Sequence, residues 1–209
     1  MAQGLLLVSA MIHVPMTQPA RKATADDLRA AHGEDGRAEV IHGVIVEKAM
    51  PRAEHCATAG YSLLAIARRF DRRPGGKWPG GWWLRPELHV QYETNEVFCH
   101  DNCGFRRDRM PESPTGWPVK TRPDWVCELL SPNHHKRDRI DKWRVLHTSG
   151  VPHYWIVDPE EKILEVLRWE RADYTRVLIA TSGDIIRAEP FDAVELRTAV
   201  LFGDEDDEE

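Results

Sequence analysis

The chain lacks any apolar run of about 18 residues, so no segment of it reads as a membrane-spanning helix. Cysteine is scarce. There are four in 209 residues, at 56, 99, 103 and 127, and this spacing is unlike a secreted disulfide framework. A reduced, cytoplasmic setting is therefore the default expectation. Net positive charge is also missing, with 28 Lys and Arg against 34 Asp and Glu. The final six residues, Asp204 to Glu209, are all acidic, and without them cations and acids balance. Bulk charge gives nucleic-acid binding no support, so any basic surface must be local. A Walker-type Gly-rich loop, a Gly-x-Ser-x-Gly elbow, an internal repeat and an interdomain linker are all absent.

The composition that remains suits one globular domain, with 42% hydrophobic and 30% charged residues. Residues 1–20 read as a disordered or non-native extension, with Met16 a second candidate start and no Lys or Arg before Arg21 to suggest a signal peptide. Residues 21–203 read as the domain, and 204–209 as an acidic disordered tail.

Periodicity supplies the elements. Thr24-Ala25-Asp26-Asp27 reads as a capping box before a short helix. The β-branched runs on either side of His42-Gly43 predict a tight hairpin. Apolar residues at helical spacing predict a helix over about 53–70. Strands are expected over 82–92, 97–103 and 125–130, the last a nearly unbroken apolar run suited to a central position. A helix over about 135–148 follows, with Ile140, Trp143 and Leu146 as its buried stripe, and then strands over 151–157, 163–169, 174–181 and 194–197. The order points to an α/β (α+β) domain with one mixed, curved β-sheet flanked by helices.

Only one acid interrupts the apolar run 125–130, and that is Glu128. Burying a carboxylate costs several kcal/mol unless it is paired or bound to a cation. Asp101 lies in the preceding strand, and neighbouring strands bring opposed side chains within about 4–5 Å. Two carboxylates so close repel, and a divalent cation removes that penalty. Hard oxygen donors suit Mg²⁺ or Mn²⁺. Lys142, in the following helix, flanks the apolar stripe and can reach back over the sheet edge. His55 opens the second helix and is a candidate to lie over the pocket, His100 beside Asp101 is a candidate supporting residue, and Glu87 is either a supporting acid or an edge-strand charge. The cationic run holding Lys136, Arg137 and Arg139 is the candidate DNA-contacting face, against the plainer reading of a solvated charged helix.

Three segments carry a resemblance. They are Pro123-Asp124-Trp125-Val126-Cys127-Glu128-Leu129-Leu130-Ser131-Pro132, Arg137-Asp138-Arg139-Ile140-Asp141-Lys142 and Gly150-Val151-Pro152-His153-Tyr154-Trp155-Ile156-Val157-Asp158-Pro159. Together they resemble the Uma-two family of the PD-(D/E)XK nuclease superfamily, over about residues 24–202. The resemblance implies a restriction-endonuclease-like core and a Mg²⁺-dependent endonuclease acting on DNA, expected as a homodimer because two strands need two cuts. It places the family's metal-binding acids on Asp101 and Glu128, its displaced lysine on Lys142 and a further glutamate on Glu39. It departs from the family where His100 precedes Asp101 in place of proline, which leaves open a catalytically weakened nuclease-fold module that binds nucleic acid or a protein partner.

Overall fold

The computed structural model describes residues 21–131 and 137–205. The N-terminal extension, His134-His135, Lys136, the side chains of Arg137 and Arg139, and most of the acidic tail lie outside the described residues.

Helix α1 (Ala25–His32) starts where the sequence predicts. The Thr24 Oγ1 accepts from the Asp27 amide, and Asp27 accepts in return from the Thr24 amide at 2.8 Å. This reciprocal cap is worth about 1 kcal/mol. Strands β1 (Ala38–Ile41) and β2 (Val44–Glu47) form the hairpin. Its two turn residues, His42 and Gly43, both take positive φ, as a type I′ turn requires. Helix α2 (Ala53–Phe70) has the predicted bounds.

Strands β3 (Trp82–Glu93) and β4 (Glu96–Arg106) pair antiparallel along almost their whole length. After β5 (Trp125–Leu129), a π-helix (Arg137–Lys142) runs into α3 (Trp143–Thr148). Strands β6 (His153–Asp158), β7 (Ile163–Trp169) and β8 (Tyr174–Thr181) follow. The sheet order is β2-β1-β4-β5-β6-β7-β8, with β3 attached to β4. Only β5 and β6 run parallel among these pairs, so the sheet is mixed and mostly antiparallel. A small pair, β9 (Ile185–Ile186) and β10 (Leu196–Arg197), precedes α4 (Thr198–Leu201).

Two apolar clusters form the main core. One joins α2 and α4 to Trp125, Trp155 and Phe191, whose rings meet edge to face at 5.1–5.6 Å. The other gathers Phe98, Phe105, Val126, Leu146 and Tyr154. Gly104 lets β4 pass between Leu84, Trp82 and Trp125, since a Cβ there would lie 2.7 Å from Leu84. Among the described residues, no helix is long and apolar enough to cross a membrane.

The structure departs from expectation in three places. The expected buried stripe of the third helix is wrong at Ile140, which is 40% exposed. The cause is the π-helix, whose wider turn shifts the buried face so that Lys142 faces inward beside Val145 and Leu146. The expected strand over 194–197 is only the two-residue β10. Its partner β9 and the helix α4 are too short for a periodic signal.

One topological feature positions everything below. A full-length strand has two edges to pair, and β4 gives one of them to β3. Its other edge is shared. β1 pairs there at Val97, and β5 takes over from Asn102 to Gly104. Between those points the sheet forks.

Candidate active site

The fork is closed by side chains. The Cys99 amide donates to Glu39 Oε1 at 2.8 Å, where a neighbouring strand would otherwise supply a carbonyl. The Cys99 carbonyl accepts from Lys48 Nζ at 2.8 Å. The Leu129 amide, at the end of β5, donates to Asp101 Oδ2 at 2.8 Å. Extending the β4–β5 register by one pair sets Asp101 opposite Glu128. Carboxylates thus occupy the fork because backbone groups there need partners.

Two lysines hold these acids. Lys142 Nζ lies 2.9 Å from Glu39 Oε1 and 3.1 Å from Glu128 Oε1, and its side chain is 1% exposed. Lys48 Nζ lies 2.9 Å from Asp101 Oδ1 and keeps 12% exposure. His55 Nε2 sits 3.7 Å from the same Asp101 oxygen. His100 Nδ1 lies 2.5 Å from Glu128 Oε1, and its Nε2 lies 2.7 Å from the Tyr92 hydroxyl.

Titration follows from this packing. Burial, and then Lys142, drive the His100 ring well below its ordinary pKa, so it is neutral. Burial likewise raises Tyr92, which keeps its proton. The consistent arrangement has Tyr92 donating to Nε2 and His100 donating from Nδ1 to Glu128. Burial raises Glu128 to about 7, against the pull of Lys142. For Asp101, burial is outweighed by Lys48, His55 and Lys142, which hold it below the usual carboxylate range. Glu39 is also lowered, since Lys142, Lys48 and the Cys99 amide together overcome its burial.

These groups line a cavity of about 360 Å³, together with Arg37, Met50, Glu54 and the Leu129–Ser131 turn. Its lining carries five carboxylates, Glu39, Glu54, Asp101, Glu128 and Glu160, against four cations, Arg37, Lys48, Arg52 and Lys142, so full ionisation would leave one negative charge uncompensated. Glu39 Oε2 is buried without a hydrogen-bond partner. Among the described residues, no three His, Cys, Asp or Glu side chains converge as a ready-made metal cage. The donors nevertheless fit a hard divalent cation in chemistry. They are carboxylate oxygens, one of them orphaned, in a pocket short of positive charge.

The sequence-predicted residues are thus distributed unevenly. Glu39, Asp101, Glu128, Lys142, His100 and His55 meet in one cluster. Glu87 does not join it; that side chain is exposed, 3.5 Å from Arg37, and accepts from the Cys99 thiol. Lys136, Arg137 and Arg139 cannot be placed as DNA contacts, because their side chains lie outside the described residues. Sequence reasoning missed Lys48. A signal existed, since the two-residue hairpin pairs Glu39 with Val46, and Lys48 is the diagonal neighbour on the same face.

A protein-family model described as "Putative restriction endonuclease" matches residues 25–200. Among solved structures, the chain is similar to a "putative nuclease belonging to DUF820" from Anabaena variabilis. The TM-score is 0.67 at 21% identity, and the match covers 86% of this chain and 97% of that one. At that identity the likeness shows a shared nuclease-like fold. The chain matches no curated protein.

Proposed function

The chain belongs to the Uma2 family, whose model matches most of its length, and on that premise we propose that it is a metal-dependent endonuclease hydrolysing phosphodiester bonds in DNA. The observation that carries this reading is the cluster at the fork: Asp101 and Glu128 on adjacent strands, with Glu39 and two lysines, lining one cavity.

In this reading Asp101 and Glu128 hold Mg²⁺ or Mn²⁺, and Glu39 offers its unpartnered oxygen beside them. When bound, the metal supplies Lewis-acid neutralisation of charge at the scissile phosphate. Lys142 is enclosed between Glu39 and Glu128 and fixes their orientation. Lys48 is the more exposed ammonium and donates to a phosphate oxygen or the attacking water. Tyr92 and His100 lock the Glu128 carboxyl from behind. His55 lines the cavity beside Asp101, where its ring nitrogen can position the attacking water. Cleaving both strands of a duplex needs two such sites, which a cytoplasmic homodimer would provide.

Plasmid cleavage tests the reading. With Mg²⁺ or Mn²⁺ the parent nicks supercoiled DNA, and EDTA abolishes the nicking. Asp101→Asn and Glu128→Gln each lower the rate by at least about a hundredfold while circular dichroism stays native. Variants that cut as fast as the parent would remove this site from the reaction.

One observation favours a second reading, a nuclease-fold module that binds nucleic acid or protein without cutting. Each of the three carboxylates already has an ammonium within 3.1 Å. Calorimetric titration with Mn²⁺ separates the two readings, since the module gives no binding heat at the fork and the enzyme does.

A further inference from the structure

A second hollow, of about 820 Å³, lies at the far end of β4 and is lined by Arg73, Trp82, Trp83, Arg106, Arg107 and Glu112. Two loops build it. The α2–β3 loop is pinned where the Gly81 amide donates to the Arg72 carbonyl at 2.7 Å. It is tied to the end of β4 where the Arg107 amide donates to the Gly81 carbonyl at 2.9 Å. Arg107 Nε also donates to the Trp82 carbonyl at 2.8 Å.

Arginine stacking is the notable chemistry. The Arg107 guanidinium carbon lies 3.4 Å from the Trp83 ring centroid, with Arg85 at 5.5 Å from the same ring. Arg106 lies 5.6 Å from the Trp82 centroid. A guanidinium stacked on an indole gives up water from its face but keeps its edge donors, and its rotamer freedom is already reduced. Arg107 spends Nε on the Trp82 carbonyl and Nη2 on Asp71, so it anchors the hollow, and the lining arginines offered to a phosphate are Arg73 and Arg106.

Charge concentrates at the same place. Arg73, Arg106 and Arg107 line the hollow, with Arg85 beside Trp83, against the acids Asp108 and Glu112. Asp71 takes up part of this, 3.3 Å from Arg107 and 3.2 Å from Arg85, and Asp108 lies 3.4 Å from Arg106. A surplus remains. Arg106 is five residues along one strand from Asp101, about 17 Å at strand rise. Duplex DNA rises 3.4 Å per base pair on each strand, so that distance corresponds to about five pairs.

We propose that this arginine–tryptophan hollow is a second contact for the phosphate backbone of duplex DNA, about five base pairs from the bond placed at the fork. It rests on the nuclease reading for its substrate, but not on the fork residues for its chemistry.

The test uses the full chain in EDTA with a fluorescein-labelled duplex of roughly 20 base pairs, followed by anisotropy from about 50 to about 200 mM salt. Arg73→Glu with Arg106→Glu weakens binding by at least about tenfold and lowers the log–log salt slope by about two, since each phosphate contact contributes about 0.9. Lys162→Glu with Arg171→Glu changes charge equally on exposed turns elsewhere and alters affinity by less than about twofold. The milder pair Arg73→Gln with Arg106→Gln moves the same way if the reversals impair folding. Equal affinity and slope in the hollow and control variants would overturn the proposal and leave the nuclease reading standing. So would a parent whose duplex binding has no salt dependence. If Asp101→Asn cuts plasmid like the parent while the hollow variant loses binding, the fork assignment fails and this contact stands.

Discussion

At the scale of single residues, Lys142 and Lys48 look alike in sequence and differ in the fold. Lys142 is enclosed by two carboxylates and Lys48 reaches the cavity. Removing a buried cation strands the acids it paired, at a cost of about 3–5 kcal/mol. Lys142→Ala is therefore expected to lose about that much in urea unfolding, and Lys48→Ala less, because water can reach Asp101. If the two variants unfold at the same midpoint, the division between a holding and a reacting lysine is wrong. His100 shows the same dependence on context. It stands where the resemblance implies a proline, yet it is fully buried and bonded to Glu128 and Tyr92. The histidine adds a hydrogen-bonded support for the Glu128 carboxyl.

At the scale of elements, α1 illustrates how a cap responds to pH. Hydrogen bonds from Arg21 and Thr24 lower Asp27 from 3.8 to about 2. A depressed carboxyl contributes stability in full above its unfolded pKa and loses it as pH falls through the folded one. Amide protection in α1 should therefore decline between about pH 4 and 2 in the parent, and Asp27→Asn should show a lower, flat profile there. An unchanged parent profile would remove Asp27 from the cap. The capping box, the His42-Gly43 turn and the span of α2 were readable because each has a local chemical signature. So was the burial of Glu128, through the apolar residues around it. The inward turn of Lys142 was not, because a π-helix breaks the 3.6-residue spacing from which a face is inferred. Nor was the fork. Strand periodicity shows which residues share a face, but not that β1 stops pairing at Val97 before β5 begins at Asn102.

At the scale of the whole molecule, the proposed metal and the fold are linked through the same carboxylates. A ligand that binds only the folded state stabilises it by about 2.7 kcal/mol at a hundredfold excess over its dissociation constant. For a domain of this size that is a rise of roughly 5–10 °C in melting temperature. Mn²⁺ should produce such a rise in the parent and not in Asp101→Asn. A parent unaffected by Mn²⁺ would favour the non-cutting module. The charge layout belongs to this scale too. The chain is acidic overall, yet Arg73, Arg106 and Arg107 gather in the hollow at one end of β4, and Asp101 lies back along the same strand.

The fork gives the molecule two built-in reporters. The amide protons of Cys99 and Leu129 are held by the Glu39 and Asp101 side chains, with no strand carbonyl in that role. Whatever draws either carboxylate oxygen elsewhere frees its proton to exchange with deuterated solvent. Occupancy of the pocket should therefore register as faster isotope uptake at Leu129, where both Asp101 oxygens are already engaged, while Cys99 keeps its bond because Glu39 meets the metal through its other oxygen. Continued slow uptake at Leu129 when Mn²⁺ saturates the protein would mean that Asp101 never lets go.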